Sequence, residues 1–186
     1  TIEVAGTPDV DFTKLAQEFS VHIGTATVHA HCRPLGPDFA RLTLDRALPL
    51  HIGDRFILRG TGQRLITGGA TVVELDPPAL RRRGAATARA ETLARLTAAT
   101  HLEVEVARRG AVQRAAVAAM GIPIPEVLPE VVLVYEHWYV HRPTLAGWAQ
   151  RLQDAVAQQH SADPTTGGIT QQAAARLLAL PDHHLL

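Results

Sequence analysis

Two styles of sequence meet at Asp76-Pro77-Pro78, and that junction limits the chain's fold more than any other feature. Proline lacks a backbone donor and pushes its predecessor out of the helical region, so neither a strand ladder nor a helix runs through a double proline. Before it the pattern is of strands and turns. Val21, Ile23 and Thr25–Val28 are rich in β-branched residues, Phe39–Leu44 alternates roughly with period two, and Ile52–Leu58 reads as a turn followed by an apolar strand. Gly60, Gly62, Gly68 and Gly69 mark the next turns, Ala70–Leu75 gives a further strand, and Thr1–Val4 supplies a first one. Short strands at such spacing indicate an antiparallel barrel or sandwich. A parallel sheet needs crossover helices, and residues 20–76 show no helical period, so a barrel is expected.

After the prolines the composition turns to Ala, Leu and Arg. Thr87–Ala99 holds strong helix formers without Gly or Pro. Thr100-His101-Leu102-Glu103 matches a capping box, and Gly110 is placed to end that helix. Val112–Met120 reads as another helix stopped by Gly121 and the prolines at 123 and 125. Ile122–Val131 is the stretch where a DNA-reading module would place its third, recognition helix. Val131–Val140 is strand-like, with a tight hairpin at Glu136-His137. Three short helices and a hairpin give the winged-helix order. A further helical run begins at Pro143-Thr144 with Leu145, Trp148, Leu152 and Val156 on one face, and Thr170 caps Gln171–Leu180. The expected domains are a barrel over 1–80, a winged-helix module over 81–142 and an incomplete second module over 143–186.

No apolar run is long enough to cross a bilayer, and Cys32 is the single cysteine, so a soluble cytoplasmic chain is expected. Aromatics make up 4% of the residues, which leaves Val, Leu, Ile and Ala to build the cores. Net charge is zero but unevenly spread. Residues 1–32 carry one Lys against 4 acids, residues 33–114 carry 14 Arg against 8 acids (net +6), and residues 115–186 carry 3 Arg against 6 acids. The middle excess is either a phosphate-facing surface or a solvated one. Arginine's planar fork suits phosphate.

Arg81-Arg82-Arg83 is the densest positive feature, a phosphate clamp or a solvated hinge. The expected third helix carries Glu126 and Glu130 and no Arg, which argues against a DNA-reading module. His29 and His31 share a strand face, but Cys32 points to the other and no fourth ligand is spaced nearby, so surface histidines are expected rather than a metal site. Ser20, Ser161 and Cys32 sit in no nucleophile setting. Asp45 and Asp54 are expected to fix turns, and Trp138, Tyr139 and Trp148 to pack in cores. The only Lys is Lys14, so no Gly-x-x-x-x-Gly-Lys-[Ser/Thr] phosphate loop can be assembled.

The ordered set Val21–Ala26, Arg33-Pro34-Leu35-Gly36, Ala40–Asp45, Pro49-Leu50, Gly53–Arg59, Gly68-Gly69 and Asp76-Pro77-Pro78 resembles the third domain of bacterial selenocysteine-specific translation elongation factors. That domain is similar to the last β-barrel of elongation factor Tu. Arg81–Gly84 and the later helix with Trp148 and His160 are similar to the family's winged-helix extension. The resemblance implies a mainly β barrel followed by α+β winged-helix domains, in a fragment of a factor that delivers selenocysteinyl-tRNA to the ribosome at UGA codons. It places GTP and Mg in a GTPase domain ahead of Thr1 and recognition of an mRNA hairpin beyond Leu186, with no cofactor in this fragment and no membrane partner. Arg33, Arg55, Arg59, Arg81, Arg82 and Arg83 are the candidate RNA-binding residues. The alternatives are a structural connector without RNA contact and a winged-helix regulator of nucleic acid.

Overall fold

The side-chain alternation of residues 26–34 shows how the first part of the chain closes. Val28, Ala30 and Cys32 are buried while Thr27, His29, His31 and Arg33 face outward, the period-two signature of a sheet with one covered face. In the computed structural model, which describes residues 1–60, 66–165, 167–182 and 185, this strand is one of six in a closed barrel. The strands are β1 (Ile2–Gly6), β2 (Glu18–Ile23), β3 (Ala26–Pro34), β4 (Phe39–Leu44), β5 (Arg55–Gly60) and β6 (Ile66–Glu74). Their order around the barrel is β1-β4-β3-β2-β5-β6, with every pair antiparallel.

A segment outside the ladder fills the barrel. Val10 and Phe12 lie between β1 and β2, yet both belong to the core formed by Val4, Phe19, Val21, Leu42, Phe56, Leu58 and Val72. This strap is fixed by its backbone: Thr7 N–H donates to Gly69 O at 2.9 Å, and Phe12 N–H donates to Pro37 O at 2.9 Å. At its far end the Lys14 ammonium, and after it the Thr13 hydroxyl, hold the Asp11 carboxyl down to about 2. Gly68 and Gly69, expected in a turn, lie inside β6 instead, because the strap presses on them; a Cβ on Gly68 would come within 2.1 Å of Val10 Cγ2. Gly60 ends β5 and Gly62 lies outside the described residues.

The β1–β6 ladder is irregular at one point. Val4 pairs with Val72 but Glu3 pairs with Glu74, so Val73 is an extra residue in β6. A bulge of this kind re-aims the side chains beyond it, and here it brings Glu74 to the outer face beside Glu3.

Beyond the prolines lie α1 (Ala85–Ala94), α2 (His101–Arg109), β7 (Ala111–Gln113), α3 (Arg114–Met120), β8 (Val132–Tyr135), β9 (Trp138–His141), α4 (Arg142–Ala162) and α5 (Gln171–Leu178). Three expectations change. Residues 111–113 form a strand against β9 rather than the start of a helix. The capping box at Thr100 does not form: Thr100 is the N-cap, but its backbone (φ −98°, ψ −12°) is helical rather than extended, and its side chain makes no cap bond. Residues 121–131 hold no helix, because Pro123, Pro125 and Pro129 each remove a donor and restrict the residue before. Three short helices, α1 to α3, thus precede the β8–β9 strands in the expected order, but the stretch 122–131, read as the recognition helix, holds none.

The hairpin forms where expected, with Glu136 at φ 48° in its two-residue turn, and β7, β9 and β8 make a three-stranded sheet. Thr170 caps α5 by accepting from Ala173 N–H at 3.2 Å. Trp148 of α4 and Leu178 of α5 share one core with Trp138 and Val140. The chain divides into two compact units, residues 1–97 with 118–122 and residues 98–117 with 123–186. No helix among the described residues is long and apolar enough to cross a membrane.

Candidate nucleic-acid interface

The arginines divide into side chains that are already engaged and side chains that face solvent. Arg41 and Arg89 are engaged. Arg41 donates through Nε and Nη2 to Glu3 Oε1 at 3.1 and 2.5 Å, and Arg89 donates to Glu3 Oε2 at 2.7 Å and to Glu74 Oε2 at 3.0 Å. Both carboxylates are buried, so they neutralise the two guanidiniums. In the second unit Arg108 donates to Glu105 at 2.7 Å, Arg109 also pairs with Glu105, and Arg114 lies over the Tyr139 ring. Arg46 donates to the Thr27 carbonyl at 3.2 Å.

The six candidates named from the sequence are all exposed. They do not form one cluster. Arg55 and Arg59 share the outer face of β5 with Ile57 between them, 45% exposed. Their row neighbours are Ser20 and His22 on β2 and Ile66, Gly69 and Thr71 on β6, and no carboxylate stands among these. Arg33 is on β3, on the far side of β2; Arg59 shares its row with Ser20 and His29, and Arg33 lies four residues beyond His29. Arg81–Arg83 lie in the loop that leads into α1, ahead of its N-cap Gly84.

The strip on β5 is thus two guanidiniums around an exposed aliphatic side chain, with Gly69 beside that side chain on β6. Guanidiniums in that setting can take phosphate oxygens through paired N–H donors, and the isoleucine can pack on a sugar or base face. Ile57 was missed in the sequence because an apolar residue in a strand reads as core; only the register shows that it points outward. His22 adjoins it, its Nδ1 3.0 Å from Thr27 Oγ1.

The other candidate chemistries separate in space. His29 and His31 are exposed on β3, while Cys32 is 2% exposed in the barrel core, where burial pushes its thiol up to about 11. Among the described residues no three His, Cys, Asp or Glu side chains are placed to hold a metal ion. Asp54 fixes a turn, as expected, by accepting from His51 N–H at 2.8 Å. Trp138, Tyr139 and Trp148 are buried. The pair His183-His184 lies outside the described residues.

The architecture defines a fold class, a closed six-stranded antiparallel barrel followed by a helical region. Residues 5–79 match the family model for the selenocysteine-specific elongation factor, β-barrel domain. Comparison with curated proteins gives no match. Among solved structures, the crystal structure of a bacterial selenocysteine-specific elongation factor, EF-Sec, resembles the chain with a TM-score of 0.66 at 14% identity. The match covers 99% of this chain and 30% of that one, and at this identity it speaks for the fold. The resemblance expected from the sequence is therefore met for the barrel, and the chain spans 30% of the length of the solved factor.

Proposed function

We propose that the chain is a non-catalytic part of a selenocysteine-specific elongation factor in which the barrel holds selenocysteinyl-tRNA and the helical part connects toward the mRNA-hairpin-binding tip. The reading rests on one observation above the others. The outer face of β5 presents Arg55, Ile57 and Arg59 with no carboxylate in their rows, on a barrel that matches the factor's family. In the intact factor GTP and Mg belong to the GTPase domain, for which this chain supplies no phosphate loop. Its place of work is then the cytoplasm, at ribosomes that meet an in-frame UGA.

A second reading is favoured by a specific feature. The buried ion pairs of Glu3 and Glu74 with Arg89 fasten α1 to the barrel, as a connector that transmits geometry without touching RNA requires. A winged-helix regulator is supported less, since no helix occupies 121–131 to enter a groove.

Replacing Arg81, Arg82 and Arg83 together with Arg55 and Arg59 by alanine, in the full-length factor, separates the first two readings, and the triad variant alone shows whether Arg81–Arg83 add a phosphate clamp. If the triad clamps a phosphate strand, the affinity for selenocysteinyl-tRNA falls by about tenfold for each lost charged contact. A connector keeps full affinity. Fluorescence titration of labelled tRNA at fixed salt reads the difference.

A further inference from the structure

Helix α1 has little of its own to hold it. At 10 residues it is shorter than helices that persist alone in water. Its N-cap is Gly84, left-handed at φ 79°, with no side-chain cap bond, no acid in the first turn and no base in the last. Arg81–Arg83 stand just before that end, where positive charge opposes the helix dipole. Helicity must therefore come from tertiary contact, and only two residues of α1 are buried, Arg89 and Leu93.

One of those anchors is thus an ion that spans two strands. Arg89 reaches Glu3 on β1 and Glu74 on β6, and both oxygens of each carboxylate are engaged. The second oxygen of Glu3 takes Arg41, and that of Glu74 takes the N–H groups of Leu75 and Asp76 at 3.0 and 3.1 Å. Arg41 also donates to the Pro78 carbonyl at 2.7 Å, so the same network pins the start of the junction. Two carboxylates and two guanidiniums cancel in charge, and the bulge at Val73 is what puts both acids on one face.

We propose that α1 is an order–disorder element, helical only while Arg89 bridges Glu3 and Glu74. In the released state its 10 residues uncoil while the barrel stays closed. Latched, the segment is about 15 Å long; released, it can extend to about 33 Å. The junction then has two lengths selected by one ionic latch. This holds whether or not the barrel binds RNA.

Amide hydrogen exchange on the 186-residue chain tests it, comparing the parent with Arg89→Met. The expected result is a loss of about a hundredfold in protection across α1, with amides of β2 and β3 within about threefold of the parent. Should Arg89→Met fail to fold, Arg89→Lys serves, because an ammonium lacks the fork that spans two carboxylates; a selective loss of at least about tenfold in α1 is expected there. Unchanged α1 protection in a folded variant overturns the proposal, since Leu93 and the backbone alone would then hold the helix. Equal loss from α1 and the barrel strands in both variants overturns it as well, since α1 would then be part of the barrel's cooperative core.

Discussion

Replacing Phe12 with alanine is expected to destabilise the barrel by about 3–5 kcal/mol, the range for emptying an aromatic site in a packed core. Phe12 is 0% exposed although it belongs to no strand. The strands leave room for it: Ala30, Ala40 and Ala70 all point inward. A small barrel must fill its interior with side chains, and here the filling comes from the strap. Because Phe12 makes no ladder bond, the substitution removes volume and leaves the sheet's hydrogen bonds in place. Urea unfolding followed by far-UV circular dichroism should show a lower midpoint at unchanged slope. Trp138 and Trp148 both lie in the second unit, so their fluorescence follows that unit and serves as an internal control. A cost below about 1 kcal/mol, the size of an ordinary surface change, would mean that the strap does not plug the barrel.

The second large effect is expected at Gly68. A methyl group there would sit 2.1 Å from Val10 Cγ2, and Gly68 has φ +152°, which side-chain-bearing residues rarely adopt. Val10 is 5% exposed and β-branched, so it has few ways to yield. Gly68→Ala is expected to destabilise the barrel by about 2–3 kcal/mol through overpacking. The double variant with Val10→Ala gives the sharper reading. If the clash is the cause, the second substitution costs less in the presence of the first, and the coupling between the two is about 1 kcal/mol or more. Strict additivity would place the cost in the backbone rather than in the contact.

How far the sequence carried differs by element. β4 is read at its true bounds because Phe39–Leu44 has a clean alternation between turn residues. The strap was not legible, since Val10 and Phe12 lie among Asp, Thr and Pro with no period to mark them. The bulge at Val73 was not legible either, because a change of register leaves no trace in residue type. Residues 122–131 were read as the recognition helix from element order, whereas their three prolines, a local signal, decided the outcome. At Thr100 the capping pattern was present and the backbone around it did not supply the geometry.

The site shows the same division. An excess of arginine between residues 33 and 114 was visible, and the six exposed candidates were among it. Which arginines were already engaged was not, because Arg41 and Arg89 find Glu3 across separations of 38 and 86 residues. Arg108 and Arg109 lie within one turn of Glu105, and that pairing could have been read from helical spacing. The exposed candidates then fall into three places: Arg55 and Arg59 on β5, Arg33 on β3 and Arg81–Arg83 ahead of α1.

The strip on β5 carries the central claim, and the salt dependence of tRNA binding tests it most directly. Selenocysteinyl-tRNA is titrated against the full-length factor, parent and Arg55→Ala/Arg59→Ala, between about 50 and 200 mM salt. Each phosphate contact releases bound counterions, so losing two is expected to flatten the log–log slope by about 2 and to weaken binding most at low salt. An unchanged slope with unchanged affinity would contradict the account and leave this barrel as a connector whose basic face meets solvent.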